Sequence, residues 1–321
     1  MTTVARAASE AAPRVRHPNT WVYFDGDICR YHDVHIGLMT NALHYGTGVY
    51  DGTRAYWDGE HGQLYIAQGV EHFERMRRSA KTLEMTLPHT NEELLDITLE
   101  LIRRNEFRED IYIRPILFAA TEEIGCRLDN IDVSFAIYLA PANRYAAWTD
   151  GIRCKISSWR RVSDDAIPAR AKATGAYINC ALSKLEATAS GFDEAIMLNR
   201  DGHVAEGPVE NIFMVKKGGI VTPPLGDDIV EGLTRGMVLE LIRDELDLPV
   251  TERSIQRTEL YSCDELFFTG TGVRVTSIVD VDDRRIGDGT EGPVTKRLKE
   301  LFRAAVLRRL PGREHWTVPV Y

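Results

Sequence analysis

"HVAEGPVENIFMVKKGGIVTPPLGDDIVEGLTRGMV", residues 203–238, is the stretch from which the rest of the chain can be read. Glu206 follows an Arg200-Asp201-Gly202 turn and a short apolar run, and it precedes a Gly207-Pro208 bend. A carboxylate at such a bend can point into a cleft. "ENIFMVK" has the composition of a strand. Gly232-Leu233-Thr234 then opens a helix, where free backbone N–H groups and the Thr234 hydroxyl can hold a phosphate. Taken singly, these features are also those of a turn acid and an ordinary helix start.

Two further windows belong beside it. In "IPARAKATGAYINCALSKLEATASG" (residues 167–191), Pro168 and Gly175 keep the lead-in irregular, helix formers begin at Tyr177, and Gly191 is a C-terminal stop. Lys172 therefore lies on a loop or strand end, where side chains often carry chemistry, although a solvated surface lysine has the same local setting. "FFTGTGVRV" (residues 267–275) supplies a second glycine-rich turn after an apolar strand, again with N–H groups able to approach an anion.

The whole chain limits what these windows can mean. Its 321 residues are enough for two domains with sizeable cores, and 44% hydrophobic with 27% charged residues is the composition of a soluble globular protein. A formal net charge of −9 argues against nucleic acid as a principal partner, and no apolar run is long enough to cross a bilayer. Five dispersed cysteines (Cys29, Cys126, Cys154, Cys180, Cys263), with no C-x-x-C pair, suit reduced thiols in a cytoplasm rather than a disulfide framework.

The periodicities divide the chain. Residues 1–19 read as a loose tail. "WVYFDGDICRY" is a hairpin signal around Asp25-Gly26, followed by strand patterns in "GVYDGTRAYW" and "GQLYIA". A helix with Val70, Phe73, Met76, Ala80 and Leu83 on one face comes next, then a second helix capped by Thr90 or Asn91, then strands "DIYIRPILFAA" and "DVSFAIYLAPA". These elements predict a small α/β domain over residues 20–140, a connector at 141–151, and a larger, strand-rich domain over 152–321 with helices near 176–190, 233–246 and 295–309.

Common site signatures are missing. There is no G-x-x-x-x-G-K-[ST] phosphate loop, no G-x-S-x-G elbow, and "GTGVYDG" spaces its glycines wrongly for dinucleotide binding. His32 and His35 form an H-x-x-H without a third ligand at a suitable spacing, so no metal is expected.

Taken together, the windows resemble the fold-type IV pyridoxal-phosphate enzymes, which include branched-chain aminotransferases, D-amino-acid aminotransferases, R-selective amine transaminases and aminodeoxychorismate lyases. The pattern Glu206-Gly-x-x-x-Asn211-Ile-Phe213, then Thr222, then Gly232-Leu-x-Arg235 follows that group's signature in order and spacing, and the likeness runs from about Trp21 to the "GPVTKRL" helix. It implies a two-domain, D-amino-acid aminotransferase-like fold of the α+β/α/β type. It also implies pyridoxal 5′-phosphate as cofactor, with Lys172 as the Schiff-base lysine and proton-transferring base, Glu206 facing the pyridine nitrogen and Tyr177 near the phenolic oxygen. Arg75, Leu233, Thr234 and Thr271 would form the phosphate cup. Arg75 sits off the apolar stripe of its helix, the place for a guanidinium that leaves the core.

Alternation puts Tyr50, Gly52 and Arg54 on one strand face, and Tyr112 and Arg114 together on another. "ALHYGTGVYDG" and "YIRP" resemble the branched-chain aminotransferase versions of these segments. That resemblance implies transfer of the amino group from Leu, Ile or Val to 2-oxoglutarate. Tyr112 and the Thr271–Gly272 backbone would hold the α-carboxylate and Arg114 the distal carboxylate of glutamate. Tyr45 would reach in from a partner subunit of a homodimer, which could assemble further. Three departures from the family pattern, Pro208 with Val209, Tyr50 and the loop "TEEIGCRLDNIDVS", bear on substrate scope. They leave open a scope shifted toward D-amino acids or R-amines. A lyase and a non-catalytic vitamin-binding protein are the other readings; the Tyr112–Arg114 pair argues against the shifted scope and the lyase, and the Lys172–Glu206 pair against the vitamin-binding protein.

Overall fold

The computed structural model describes residues 19–142 and 151–321. The expected tail, Asn19 apart, and residues 143–150 of the expected connector lie outside the described residues.

The first half forms an antiparallel sheet. The Asp25-Gly26 turn, with φ of 47° and 106°, joins β1 (Trp21–Phe24) to β2 (Asp27–Arg30) as a tight hairpin. A short helix, α1 (Asn41–Tyr45), which the periodicity does not signal, precedes β3 (Gly48–Tyr50), β4 (Thr53–Asp58) and β5 (Gln63–Ala67). After helices α2 (Gly69–Thr82) and α3 (Asn91–Asn105) come β6 (Ile111–Ala119) and β7 (Val133–Pro141). Thr90 caps α3 in a reciprocal capping box with Glu93. Both β3 and β4 pair with β6, and the break between them falls opposite Pro115, which has no N–H to donate.

The second half builds a mixed sheet from β8 (Ile152–Arg160), β9 (Glu194–Leu198), β10 (Asn211–Lys216), β11 (Gly219–Thr222), β12 (Val250–Glu252), β13 (Glu265–Gly270), β14 (Arg274–Val281) and β15 (Arg284–Arg285). Its helices are α4 (Tyr177–Ala189), α5 (Leu233–Leu241) and α6 (Pro293–Val306). The expected helix over 233–246 is α-helical only to Leu241 and finishes in a π turn, Ile242–Leu246.

Strand alternation sorts side chains into separate cores. Phe213, Val215 and Phe267 pack with α5 and α6, whereas Ile212, Met214, Leu266 and Phe268 fill the opposite face. In the first sheet, Ile111, Ile113 and Leu117 enter its own core, leaving Tyr112 and Arg114 on the other face. The chain departs from the expected division at its far end. A last strand, β16 (Thr317–Pro319), pairs with β5, so the segment after α6 returns to the first sheet instead of remaining with residues 152–316. Tyr56, Ala67 and Trp316 join the core of α5 and α6 and so bind the two halves together.

Candidate active site

Between the two sheets lies a cavity of about 370 Å³. All the residues assigned a cofactor or substrate role from the sequence line it except Tyr45: Arg75, Lys172, Tyr177, Glu206, Leu233, Thr234 and Thr271, together with Tyr50, Gly52, Arg54, Tyr112, Arg114 and Gly272. Tyr45 is 38% exposed at the end of α1, where its hydroxyl accepts the Gly125 N–H at 3.2 Å.

Lys172 occupies an extended segment pinned to the edge of β3. Tyr50 N–H donates to Lys172 O at 3.1 Å, and Val49 bridges to Ala173. The Thr174-Gly175 step that follows is explained by close approach. Gly175 N–H donates to Gly46 O at 3.0 Å, and a Cβ on Gly46 would come within 2.7 Å of Gly175 Cα. Lys172 Nζ lies 5.6 and 5.7 Å from the ring centroids of Tyr50 and Tyr177, which are themselves 4.8 Å apart. Burial pushes both phenols above their ordinary pKa.

Glu206 is 3% exposed and fully engaged. Arg161 Nε donates to one carboxylate oxygen at 2.9 Å, and Asn211 Nδ2 and Val230 N–H donate to the other at 2.9 and 3.2 Å. Burial raises its pKa, with the Arg161 charge pulling the other way. Nothing local in the sequence distinguishes Arg161 from Arg160, so only the structure pairs it with Glu206.

Gly232 is the N-cap of α5, so Leu233 and Thr234 present the first turn of that helix to the cavity, which the Thr271–Gly272 turn of the β13–β14 hairpin also lines. Arg75 is the third element here, and it corrects an expectation. Its guanidinium does not leave the core but is buried, at 5% exposure, on a second buried stripe of α2 formed with His72 and Ser79. The physical reason is Asp51, entirely buried, which accepts from Arg75 Nε at 2.9 Å and Nη2 at 2.7 Å. Burial alone would raise the Asp51 carboxyl, but Arg75 and His72 hold it well below the usual carboxylate range.

On the substrate side, Arg114 Nη2 donates to the Tyr112 hydroxyl at 3.1 Å, and the guanidinium lies 4.2 Å from the Tyr50 ring centroid. Arg54 joins the halves, donating to Asp110, to Ala142 O and across to Gly272 O. Pro208 and Val209 also line the cavity. Among the described residues, Asp58, Glu60 and His61 alone form a group with metal-ligand spacing. It lies away from this cavity, and Arg309 bonds both acids.

A buried acid, a buried arginine, a helix start and a lysine on an extended segment thus line one cavity, a set of groups suited to a ligand that carries both charge and an anionic group. Residues 48–281 match the model of amino-transferase class IV, and the chain belongs to that family of aminotransferases. It is 46% identical over 301 residues to a probable branched-chain-amino-acid aminotransferase of Aquifex aeolicus (strain VF5), covering 94% of this chain and 97% of that one. Among solved structures, it is similar to a branched-chain aminotransferase from Thermoproteus uzoniensis with norvaline (TM-score 0.90, 41% identity, 94% of this chain and 99% of that one). It is also similar to a T.th. branched-chain amino acid aminotransferase complexed with N-(5′-phosphopyridoxyl)-L-glutamate (TM-score 0.89, 35% identity, 95% of this chain and all of that one).

Proposed function

We propose that this aminotransferase moves the amino group of branched-chain L-amino acids to 2-oxoglutarate with pyridoxal phosphate as cofactor. The observation that carries the reading is the Tyr112–Arg114 pair, beside the Tyr50 ring, in the same cavity as Lys172. One wall thus offers an aromatic surface for an aliphatic side chain and a cation for a second carboxylate. The solved relatives crystallised with norvaline and with a phosphopyridoxyl-glutamate support both halves of that specificity.

The residues fit the cofactor by the chemistry of their donors. Glu206 suits a protonated ring nitrogen, while Arg75, the N–H groups of Leu233 and Thr234, and the hydroxyls of Thr234 and Thr271 suit a phosphate. The buried Thr269 hydroxyl in the cavity wall has no protein partner, as expected where a ligand is to be met. When bound, pyridoxal phosphate supplies an electron sink that weakens the bonds to the substrate's Cα. Lys172 is the base that removes the Cα proton and returns it, Tyr177 holds the phenolic edge, and Tyr112 with the Thr271–Gly272 backbone holds the α-carboxylate.

The working form we infer is a homodimer, with Tyr45 reaching the pocket of the partner. Leu38, Met39, Leu43 and Ile124 are exposed around it, an apolar surface that a second copy would cover. The five cysteines, all free, suit a reducing cytoplasm. Among the described residues no helix is long and apolar enough to cross a membrane. A scope shifted toward D-amino acids or R-amines is the second reading, favoured by Pro208 and Val209 in the cavity wall.

An amino-donor panel with 2-oxoglutarate as acceptor tests these readings. L-Leu, L-Ile and L-Val should lead. Preferential turnover of D-alanine or R-1-phenylethylamine would replace the first reading by the second.

A further inference from the structure

We propose that Asp51 is a positioning residue that sets Arg75 for the phosphate end of the cavity and ties that end to the substrate end. The inference rests on the pyridoxal phosphate reading above. Asp51 does not line the cavity and is 0% exposed, at the break between β3 and β4. Because side chains alternate along this edge, Tyr50 and Gly52 face the cavity and Asp51 points the other way, toward α2.

Its two oxygens meet Arg75 as a fork, Oδ2 on Nε and Oδ1 on Nη2. The remaining nitrogen, Nη1, donates to Glu231 O at 3.1 Å, on the segment that leads into α5. With contacts to the β3–β4 break of the first sheet and to a loop of the second, the guanidinium plane has one way to lie. That plane sets where its outward N–H groups point in the cavity that Arg75 lines.

Asp51 Oδ1 has two further donors, His72 Nδ1 at 2.6 Å and Gly52 N–H at 2.6 Å. The Gly52 bond extends the reach of Asp51 to the substrate side, because the Tyr112 hydroxyl packs directly on Gly52. A single carboxylate thus holds the arginine of one end and the strand geometry of the other. Neither the Asp51 break nor α2 could shift alone without breaking a charge-assisted bond between buried groups.

The test compares two ligands that differ only in the phosphate. Apoprotein of the wild type, Asp51→Asn and Asp51→Glu is titrated with pyridoxal phosphate and with pyridoxal, followed by absorbance. Asp51→Asn should weaken pyridoxal phosphate by about tenfold or more while changing pyridoxal by less than about twofold, and Asp51→Glu, which keeps the charge, should stay within about threefold of wild type. Equal losses for both ligands, or unchanged affinity for pyridoxal phosphate, would overturn the proposal. Wild-type protein that takes up neither ligand would overturn the cofactor reading and this one together. If Asp51→Asn does not fold, the crystal structure of Asp51→Glu decides. Retained affinity with the new carboxylate seated on Arg75 supports the proposal, as does lost affinity with it displaced; either mismatch overturns it.

Discussion

Gly52 lies directly beneath the Tyr112 hydroxyl: a Cβ built on Gly52 would fall 1.7 Å from that oxygen. No side chain larger than hydrogen is compatible with the observed tyrosine position, and the tyrosine in turn receives the Arg114 N–H.

Replacing Gly52 with Ala should therefore swing Tyr112 aside and take its hydroxyl away from the substrate α-carboxylate. Values of kcat/KM for amino acids should fall by about tenfold or more, the worth of a charge-assisted hydrogen bond, with cofactor absorbance intact. Unaltered steady-state kinetics would show that Tyr112 has no part in substrate binding.

Glu206→Gln keeps the size of the side chain and removes its charge. Half-reaction rates should drop by at least about tenfold, equivalent to roughly 1.4 kcal/mol in the barrier. The same change leaves Arg161 buried opposite a neutral amide, so the melting temperature should fall as well. Stopped-flow measurement with leucine is the check; unchanged proton-transfer kinetics would mean that another acid faces the ring.

Arg114→Leu should separate the two substrates. A guanidinium on the distal carboxylate of glutamate contributes on the order of 1.5–3 kcal/mol, about ten- to a hundred-fold in affinity, and leucine cannot use it. Half-reactions with each amino acid alone should show the loss for glutamate and little for leucine. Matching losses would assign Arg114 to the α-carboxylate or to the fold.

A pH effect is expected at Glu210, which is 2% exposed and accepts the Val209 N–H at 3.1 Å, while its other oxygen is buried with no partner. Burial, reinforced by the charge of Glu194, pushes its carboxyl well above the ordinary range. The folded protein thus holds this proton more tightly than the unfolded chain, whose glutamate titrates near about pH 4.3. The contribution to stability is present at low pH and is lost as pH rises from that value through the raised folded one. Glu210→Gln should flatten the decline of melting temperature on the alkaline side. Parallel melting curves against pH for variant and wild type would refute the assignment.

Lys172, Glu206 and the Gly232–Thr234 turn are legible in the sequence because each combines its chemistry with a local backbone signal: an irregular lead-in, a bend or a helix start. Asp51 and Arg161 are not, since their partners come from distant segments. Yet Asp51 leaves a trace. It alternates with residues assigned to the site face, so it has to point at the core, and a carboxylate there requires a cation. Arg75 departs from expectation for the complementary reason: the apolar stripe on α2 is only part of that helix's buried surface, and polar residues line a second one. The final strand has no legible partner, because three residues do not specify the sheet edge they will join.

The return of β16 to the first sheet also constrains the order in which the protein can be made. Val320 N–H donates to Gln63 Oε1 across 257 residues of chain. During synthesis, β5 leaves the ribosome long before residues 317–319 exist, so it waits as an unpaired edge beside an otherwise completed sheet. This contact is among the longest loops to close, and it seals an edge that another nascent chain could occupy first. Yield of native enzyme should thus depend on how quickly residues 317–319 follow β5 and on how many neighbours that edge meets before then.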